Sequence, residues 1–136
     1  MIETTTDTAQ VRATLARATG LARLALNAVK SRREYADGRL HVDAADIADV
    51  LNAIAHQGRD ARQLHQFDHP AFGMEWAHLW STAALLDAEG MRWLEVHDSN
   101  PPEHDLAAAE AALEHLIETS DRIDAKLRDH AAAGAH

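Results

Sequence analysis

Histidine is the residue type in this sequence whose number and spacing are best suited to chemistry, with ten in 136 residues. His65 and His69 are four residues apart, and on a helix that spacing places two imidazoles on one face. Glu75 and His78 form a Glu-x-x-His unit, which helical bundles use to bind metal ions. With His130 from the end of the chain, these residues predict a site for zinc, manganese or iron, which accept nitrogen and oxygen ligands.

The same residues also fit a structural role at helix ends. His65 and His130 lie where last helical turns are predicted, and a protonated imidazole there is stabilised by the helix dipole. Glu75 lies in a predicted first turn, where a carboxylate is stabilised in the same way. The sequence therefore leaves both a metal site and ordinary helix termini open.

Aromatic residues are concentrated near the same part of the chain. Four of the six fall within fourteen positions, and they are Phe67, Phe72, Trp76 and Trp80. Because Trp76 and Trp80 are one helical turn apart, a single narrow buried stripe does not hold both together with Leu79. These aromatic residues predict an interaction surface for another protein, and an aromatic plug that closes one end of the fold is the alternative.

Two stretches place an arginine ahead of a histidine, from Arg59 to His65 and from Arg92 to His97. They resemble the Arg-x4–6-His motif of HEPN ribonucleases over six or seven residues. The residue directly after each arginine departs from the commonest form of the motif, with Asp60 nearer to it than Trp93. The resemblance implies a small helical protein that uses the pair at a dimer interface to act on RNA.

Apolar residues recur at gaps of three and four along four segments, which predicts amphipathic helices over about 7–33, 43–67, 74–97 and 103–130. The first stripe consists of Val11, Leu15, Ala18, Ala22, Ala25 and Val29. The last consists of Leu106, Ala109, Leu113, Leu116, Ser120, Ile123, Leu127 and His130. Residues 1–6 and 131–136 are expected to fray.

Turn signals separate these segments. Gly38 follows the first segment, Pro70 and Gly73 follow the second, and Asn100 and Pro101 precede the fourth. Since the connectors are short, the expected fold is all-α, a single domain formed by an antiparallel up-down-up-down four-helix bundle. In that arrangement the end of helix two, the start of helix three and the end of helix four meet at one pole, where the candidate metal ligands collect.

Composition excludes several functional classes. The chain has a mass of 14.9 kDa and no cysteine, which excludes disulfides, thiol nucleophiles and thiolate metal sites. No apolar run approaches the roughly 20 residues that a membrane span needs, and the N-terminus lacks the features of a signal peptide. We therefore expect a cytoplasmic protein that has no membrane partner.

Charge is unevenly distributed along the chain. The net charge is −9, with +3 over residues 1–41 and −12 over the remaining 95. A basic first helix packed beside acidic neighbours explains this pattern. A basic patch formed by residues 30–33 and Arg39, for an acidic partner or nucleic acid, is the alternative. Because net negative charge repels phosphate, nucleic acid is not the expected partner.

These observations together favour a non-enzymatic helical bundle that acts by binding another protein or its own copy, as an accessory or regulatory factor. A homodimer is consistent with the alanine-rich helix surfaces. The alternatives are a bundle that binds a metal or small ligand at the His/Glu-rich pole, and a HEPN-like ribonuclease.

Overall fold

The computed structural model of the chain describes residues 2–34, 44–63, 73–95 and 101–134. Side chains are described over 9–34, 44–58, 74–95 and 101–129. Within these residues the chain is all-helical, with four helices and no strand, as the sequence predicts. The helices are α1 (Ile2–Glu34), α2 (Ala44–Gln63), α3 (Gly73–Glu95) and α4 (Glu103–Gly134).

Two helices are longer than the sequence predicts. α1 begins at Ile2, so the residues expected to fray at the N-terminus are helical. Neither glycine nor proline occurs before Gly20, so nothing in that segment interrupts the helix. α4 continues to Gly134 through a run of alanines, the residue with the highest helix propensity. The predicted last residues of α2 and α3, 64–67 and 96–97, lie outside the described part of the chain.

The start of α4 follows from its two prolines. The helix begins at Glu103, and the Pro102 carbonyl accepts hydrogen bonds from the backbone N–H groups of Asp105 (3.0 Å) and Leu106 (3.2 Å). Proline is tolerated at this point because its missing N–H would have had no helical partner. This start agrees with the predicted boundary.

Burial confirms the apolar stripes predicted for α1 and α4 wherever their side chains are described. The six stripe residues of α1 are 0 or 1% exposed, and the α4 stripe is buried from Leu106 to Leu127. In α2 and α3 the buried stripes include Leu51, Ile54, Leu79 and Trp93. Buried apolar residues recur at helical spacing along all four helices, so hydrophobic burial is the main interaction that holds the helices together.

Neighbouring helices pack in four combinations, α1 with α2, α2 with α3, α3 with α4 and α1 with α4. Two glycines set the spacing of α2 and α3. A Cβ atom at Gly58 would lie 2.9 Å from Trp80 Cε3, and one at Gly90 would lie 3.2 Å from Ala48 Cα. These small residues therefore allow α2 and α3 to approach closely. None of the described helices combines the length and apolar character that a membrane span requires.

Ser120 lies on the buried stripe of α4 and bonds to another helix. The sequence favours a bond to a carbonyl one turn back, but the Ser120 hydroxyl lies 2.7 Å from the hydroxyl of Thr19 on α1. The expectation is wrong because α1 brings a hydroxyl within reach of a side chain that is only 1% exposed. The pair joins the two longest helices through a polar contact inside the core.

Replacing Ser120 with alanine is expected to lower the free energy of unfolding by about 0.5–1.5 kcal/mol, because one largely buried hydrogen bond is lost. Urea denaturation followed by circular dichroism measures the change. The matched control is Thr19→Val, alone and combined with Ser120→Ala. Strictly additive effects in this double-mutant cycle would show that the two hydroxyls do not interact.

Candidate functional site

The predicted metal ligands are only partly covered by the described residues. His65 and His69 lie outside them, as does the side chain of His130. Within the side chains that the structure describes, no three His, Asp or Glu residues are placed to hold a metal ion. The two described ligands, Glu75 and His78, each contact a residue of α4 that the sequence did not single out.

Glu75 forms an ion pair between α3 and α4. Its Oε1 atom accepts a hydrogen bond from the Lys126 ammonium group, and its side chain is 26% exposed. The Oε2 atom is buried and accepts no hydrogen bond from the described residues. This carboxylate therefore joins two helices and is engaged with a cation of the chain itself.

His78 pairs with His115 across the same two helices. Their Nε2 atoms are 2.7 Å apart, their ring centroids are 4.9 Å apart, and the ring planes are inclined by 76°. Both residues are exposed. The sequence carries no signal for this pair, because the pair depends on which faces of α3 and α4 meet.

The two tryptophans of the predicted interaction surface differ in burial. Trp80 is 7% exposed and packs over Gly58, and its indole Nε1 is buried and has no hydrogen-bond partner among the described residues. Trp76 is partly buried and meets the Trp80 ring edge to face, with centroids 5.4 Å apart. Trp80 is therefore a core residue and not an accessible part of the predicted interaction surface, because a glycine on α2 leaves room for its ring. Phe67 and Phe72 lie outside the described residues.

Arg92, from one of the two HEPN-like stretches, holds the end of α3 to the first turn of α4. Its guanidinium donates hydrogen bonds to Glu89 (2.6 Å) and to the buried carboxylate of Asp105 (2.8 Å). The pKa of Arg92 is raised above its ordinary value, mainly by the hydrogen bond to Glu89. His97 and the side chains of Arg59 and His65 lie outside the described residues.

Basic residues of α1 are neutralised by acidic residues of α4. Arg12 contacts Asp124 at 2.9 Å, and Arg33 contacts Glu103 at 2.7 Å and Glu110 at 3.0 Å. The hydrogen bond to Glu103 raises the pKa of Arg33 above its ordinary value, and Glu110 acts in the same direction. The basic first helix is therefore packed beside acidic neighbours. Arg39, from the alternative basic patch, lies outside the described residues.

A second exposed feature of α3 is an uncharged face that points away from the core. We call it the outer stripe, and its exposed residues are Met74, Ala77, Ser81, Ala84, Ala88 and Met91. Met74 is 89% exposed and Met91 is 46% exposed, and the neighbouring Leu85 is 71% exposed. Exposed apolar patches of this kind mark interaction surfaces more often than isolated apolar residues do.

No family model matches the chain, and neither the curated proteins nor the solved structures compared with it give a significant match. Function is therefore inferred from the chain's own residues and their contacts.

Proposed function

We propose that this chain is a non-enzymatic helical-bundle protein that self-associates, and that the outer stripe of α3 is the surface where a second copy binds. The observation that carries the proposal is an exposed, uncharged and apolar helix face on a chain whose net charge is −9. An accessory or regulatory role and a cytoplasmic location belong to the same proposal.

The proposal includes the antiparallel up-down-up-down arrangement of the four helices. Arg12, early in α1, contacts Asp124, late in α4, whereas Arg33 at the end of α1 contacts Glu103 at the start of α4. α3 and α4 repeat this relation, since Glu75 contacts Lys126 and Arg92 contacts Asp105. For α2 and α3, Asn52 bonds to Asp87 and Gly58 lies against Trp80. In each of these helix pairs, residues later in one helix contact residues earlier in the other, and this relation supports the antiparallel topology.

The outer stripe favours a second copy of the same chain because its pattern is nearly the same in both directions. Its gaps are three, four, three, four and three, with a methionine at each end and small residues between. A symmetric dimer uses the same surface on both copies, so that if one residue contacts a second residue of the other copy, the second also contacts the first across the interface. Two antiparallel α3 helices would therefore place Met74 beside Met91 of the other copy, with the small residues at the centre.

Spacing and residue size along the stripe suit helix packing. Gaps of three and four keep the stripe on one face, as in coiled coils. The stripe from Met74 to Met91 is about 25 Å long at 1.5 Å per residue. Small central residues permit close approach, and the flexible methionine side chains fit uneven gaps at the ends.

Charge also favours this face over the rest of the surface. Residues 76–86 contain no Asp, Glu, Lys or Arg. The acidic residues that flank them are turned to partners within the chain, Glu75 to Lys126, Asp87 to Asn52 and Glu89 to Arg92. Two copies with a net charge of −9 repel each other, so association needs a face on which apolar burial is not opposed by like charges.

The other functions considered from the sequence have less support among the described residues. The guanidinium of Arg92 is bound by Glu89 and Asp105 of its own chain, which does not favour a role for this arginine in a HEPN-like ribonuclease. The aromatic surface from Phe67 to Trp80 stays a prediction for Phe67 and Phe72. It overlaps in sequence with the outer stripe, which begins at Met74.

A single charge at the centre of the stripe tests the proposal. The parent chain should have the mass of a dimer in size-exclusion chromatography with light scattering, and Ala84→Glu should halve that mass because each introduced carboxylate would be desolvated against the other copy without a cation to pair with it. Ala13→Glu is the matched control, since Ala13 is an exposed alanine on α1. A monomeric parent chain, or a dimer that Ala84→Glu leaves intact while circular dichroism shows the helices folded, would contradict the proposed surface.

Orientation is tested with single cysteines, which the chain lacks. A mixture of Met74→Cys and Met91→Cys chains should give a mixed cross-link on mild oxidation, detected by mass spectrometry, and neither variant alone should cross-link. Cross-linking of each variant with itself would indicate parallel helices, since a disulfide requires Cα atoms within about 7 Å.

A further inference from the structure

We propose that His78 and His115 form a two-histidine site for a divalent transition-metal ion that accepts ligands at right angles, such as Cu²⁺ or Ni²⁺. The site lies on the exposed seam between α3 and α4. It shares only His78 with the metal site predicted from the sequence, and it goes beyond the proposed self-association.

The distance between the two imidazole nitrogens carries the proposal. The Nε2 atoms of His78 and His115 are 2.7 Å apart. Two nitrogens that bind one ion at about 2.0–2.1 Å lie about 2.9 Å apart at right angles and about 3.3 Å apart at tetrahedral angles. With the ring centroids 4.9 Å apart, the two nitrogens face each other at hydrogen-bond distance, so each ring must turn outward to direct its nitrogen at one ion. The nitrogens then separate less to reach right-angle spacing than to reach the tetrahedral spacing of zinc. Imidazole ligands at right angles, as in square-planar or octahedral geometry, are typical of Cu²⁺ and Ni²⁺.

The helices hold the two imidazoles at this spacing without the ion. Two ion pairs join α3 to α4, between Glu75 and Lys126 and between Arg92 and Asp105. The backbones that carry the two histidines are therefore held side by side, and the hydrogen bond between the imidazoles keeps them close before an ion binds, which lowers the ordering cost of binding.

Access and charge are also suitable. Both histidines are exposed, so an ion and its water ligands reach the nitrogens directly. Glu114 and Glu118 flank His115 in sequence, and Glu75 lies one turn before His78. Glu75 and Glu114 contact Lys126 and Lys30, respectively. Because no third His, Asp or Glu among the described side chains completes the site, water would occupy the remaining positions and the ion would exchange readily.

Titration of Ni²⁺ into the untagged chain near neutral pH, followed by calorimetry, tests the site. The parent chain should bind one ion at a site whose affinity falls at least about tenfold in His78→Ala and in His115→Ala, because each variant lacks one of two protein ligands. His104→Ala is the control, since His104 is an exposed histidine on the same helix as His115. Ni²⁺ should also raise the melting temperature of the parent chain and of His104→Ala, but not of the other two variants.

Three outcomes would overturn the site. They are the absence of Ni²⁺ binding, an unchanged affinity in either His78→Ala or His115→Ala, and an equal loss in His104→Ala. His78→Gln and His115→Gln keep a polar side chain without the imidazole, so they should reproduce the loss, and binding retained in them would also count against the site. Because both ligands belong to one chain, Ala84→Glu should retain Ni²⁺ binding whether or not the chain forms a dimer.

Discussion

Replacing Trp93 with alanine is expected to lower the free energy of unfolding by about 3–5 kcal/mol, the range found when a large aromatic side chain is removed from a core. Trp93 is 0% exposed. Its indole Nε1 donates a hydrogen bond to Glu89 Oε1 at 3.0 Å, and Glu89 also accepts hydrogen bonds from Arg92. The substitution therefore opens a cavity and also releases one contact of the Glu89 carboxylate, which holds Arg92, the residue that contacts Asp105 on α4.

Urea denaturation followed by circular dichroism at a fixed protein concentration measures this loss. Trp93→Phe keeps most of the aromatic volume but not the N–H donor, so it should cost clearly less than Trp93→Ala. Leu24→Ala is the exposed control, because Leu24 is 57% exposed and surface substitutions usually change stability by less than about 0.5 kcal/mol. A loss for Trp93→Ala as small as that of Leu24→Ala would mean that Trp93 is not a core residue.

Leucine at Gly58 or at Gly90 is expected to destabilise the chain by about 1–3 kcal/mol, because each glycine lies where α2 and α3 approach closely. A Cβ atom at Gly58 would lie 2.9 Å from Trp80 Cε3, and one at Gly90 would lie 3.2 Å from both Cα and Cβ of Ala48. The rest of a leucine side chain needs still more space. The helices must then separate or the Trp80 ring must move, and both changes expose core surface.

Gly20→Leu is the matched control for these two substitutions. Apart from the neighbouring residues and backbone of α1 itself, a Cβ atom at Gly20 would have no described heavy atom within 4 Å, so the same residue enters open space on α1. Leucine has a higher helix propensity than glycine, and Gly20→Leu should therefore stabilise the chain by up to about 1 kcal/mol. Because the propensity gain is common to the three sites, differences in their midpoints of thermal or urea unfolding report packing alone. Equal effects at all three sites would contradict the close approach of α2 and α3.

Both predictions concern the inner face of α3, which holds this helix in place between α2 and α4. The outer stripe and His78 lie on exposed positions of the same helix. The proposed dimer surface and the proposed metal site therefore depend on the inner face for their position, but variants at Ala84 or His78 leave the core contacts of Trp93, Gly58 and Gly90 unchanged. This separation makes stability and binding measurable independently.

The sequence by itself determined the helices and the residues that they bury. The recurrence of apolar residues at intervals of three and four depends on one helix at a time. The stripe from Val11 to Val29 could therefore be predicted without knowledge of the fold. Proline and glycine mark helix ends in the same local way, and α4 begins at Glu103 as predicted. Helix ends without such residues were less well predicted, as α1 shows by reaching Ile2.

Only the tertiary structure decided which side chains meet. The hydroxyl of Ser120 contacts Thr19, His78 contacts His115, and the ring of Trp80 covers Gly58. Each contact depends on the rotation and offset of one helix against another, and those are set by packing over the whole interface, which residue spacing within a single helix does not encode. For that reason the sequence predicted metal ligands at His65 and His69, which are separated by one helical turn. The contact in the structure instead joins two histidines that are 37 positions apart.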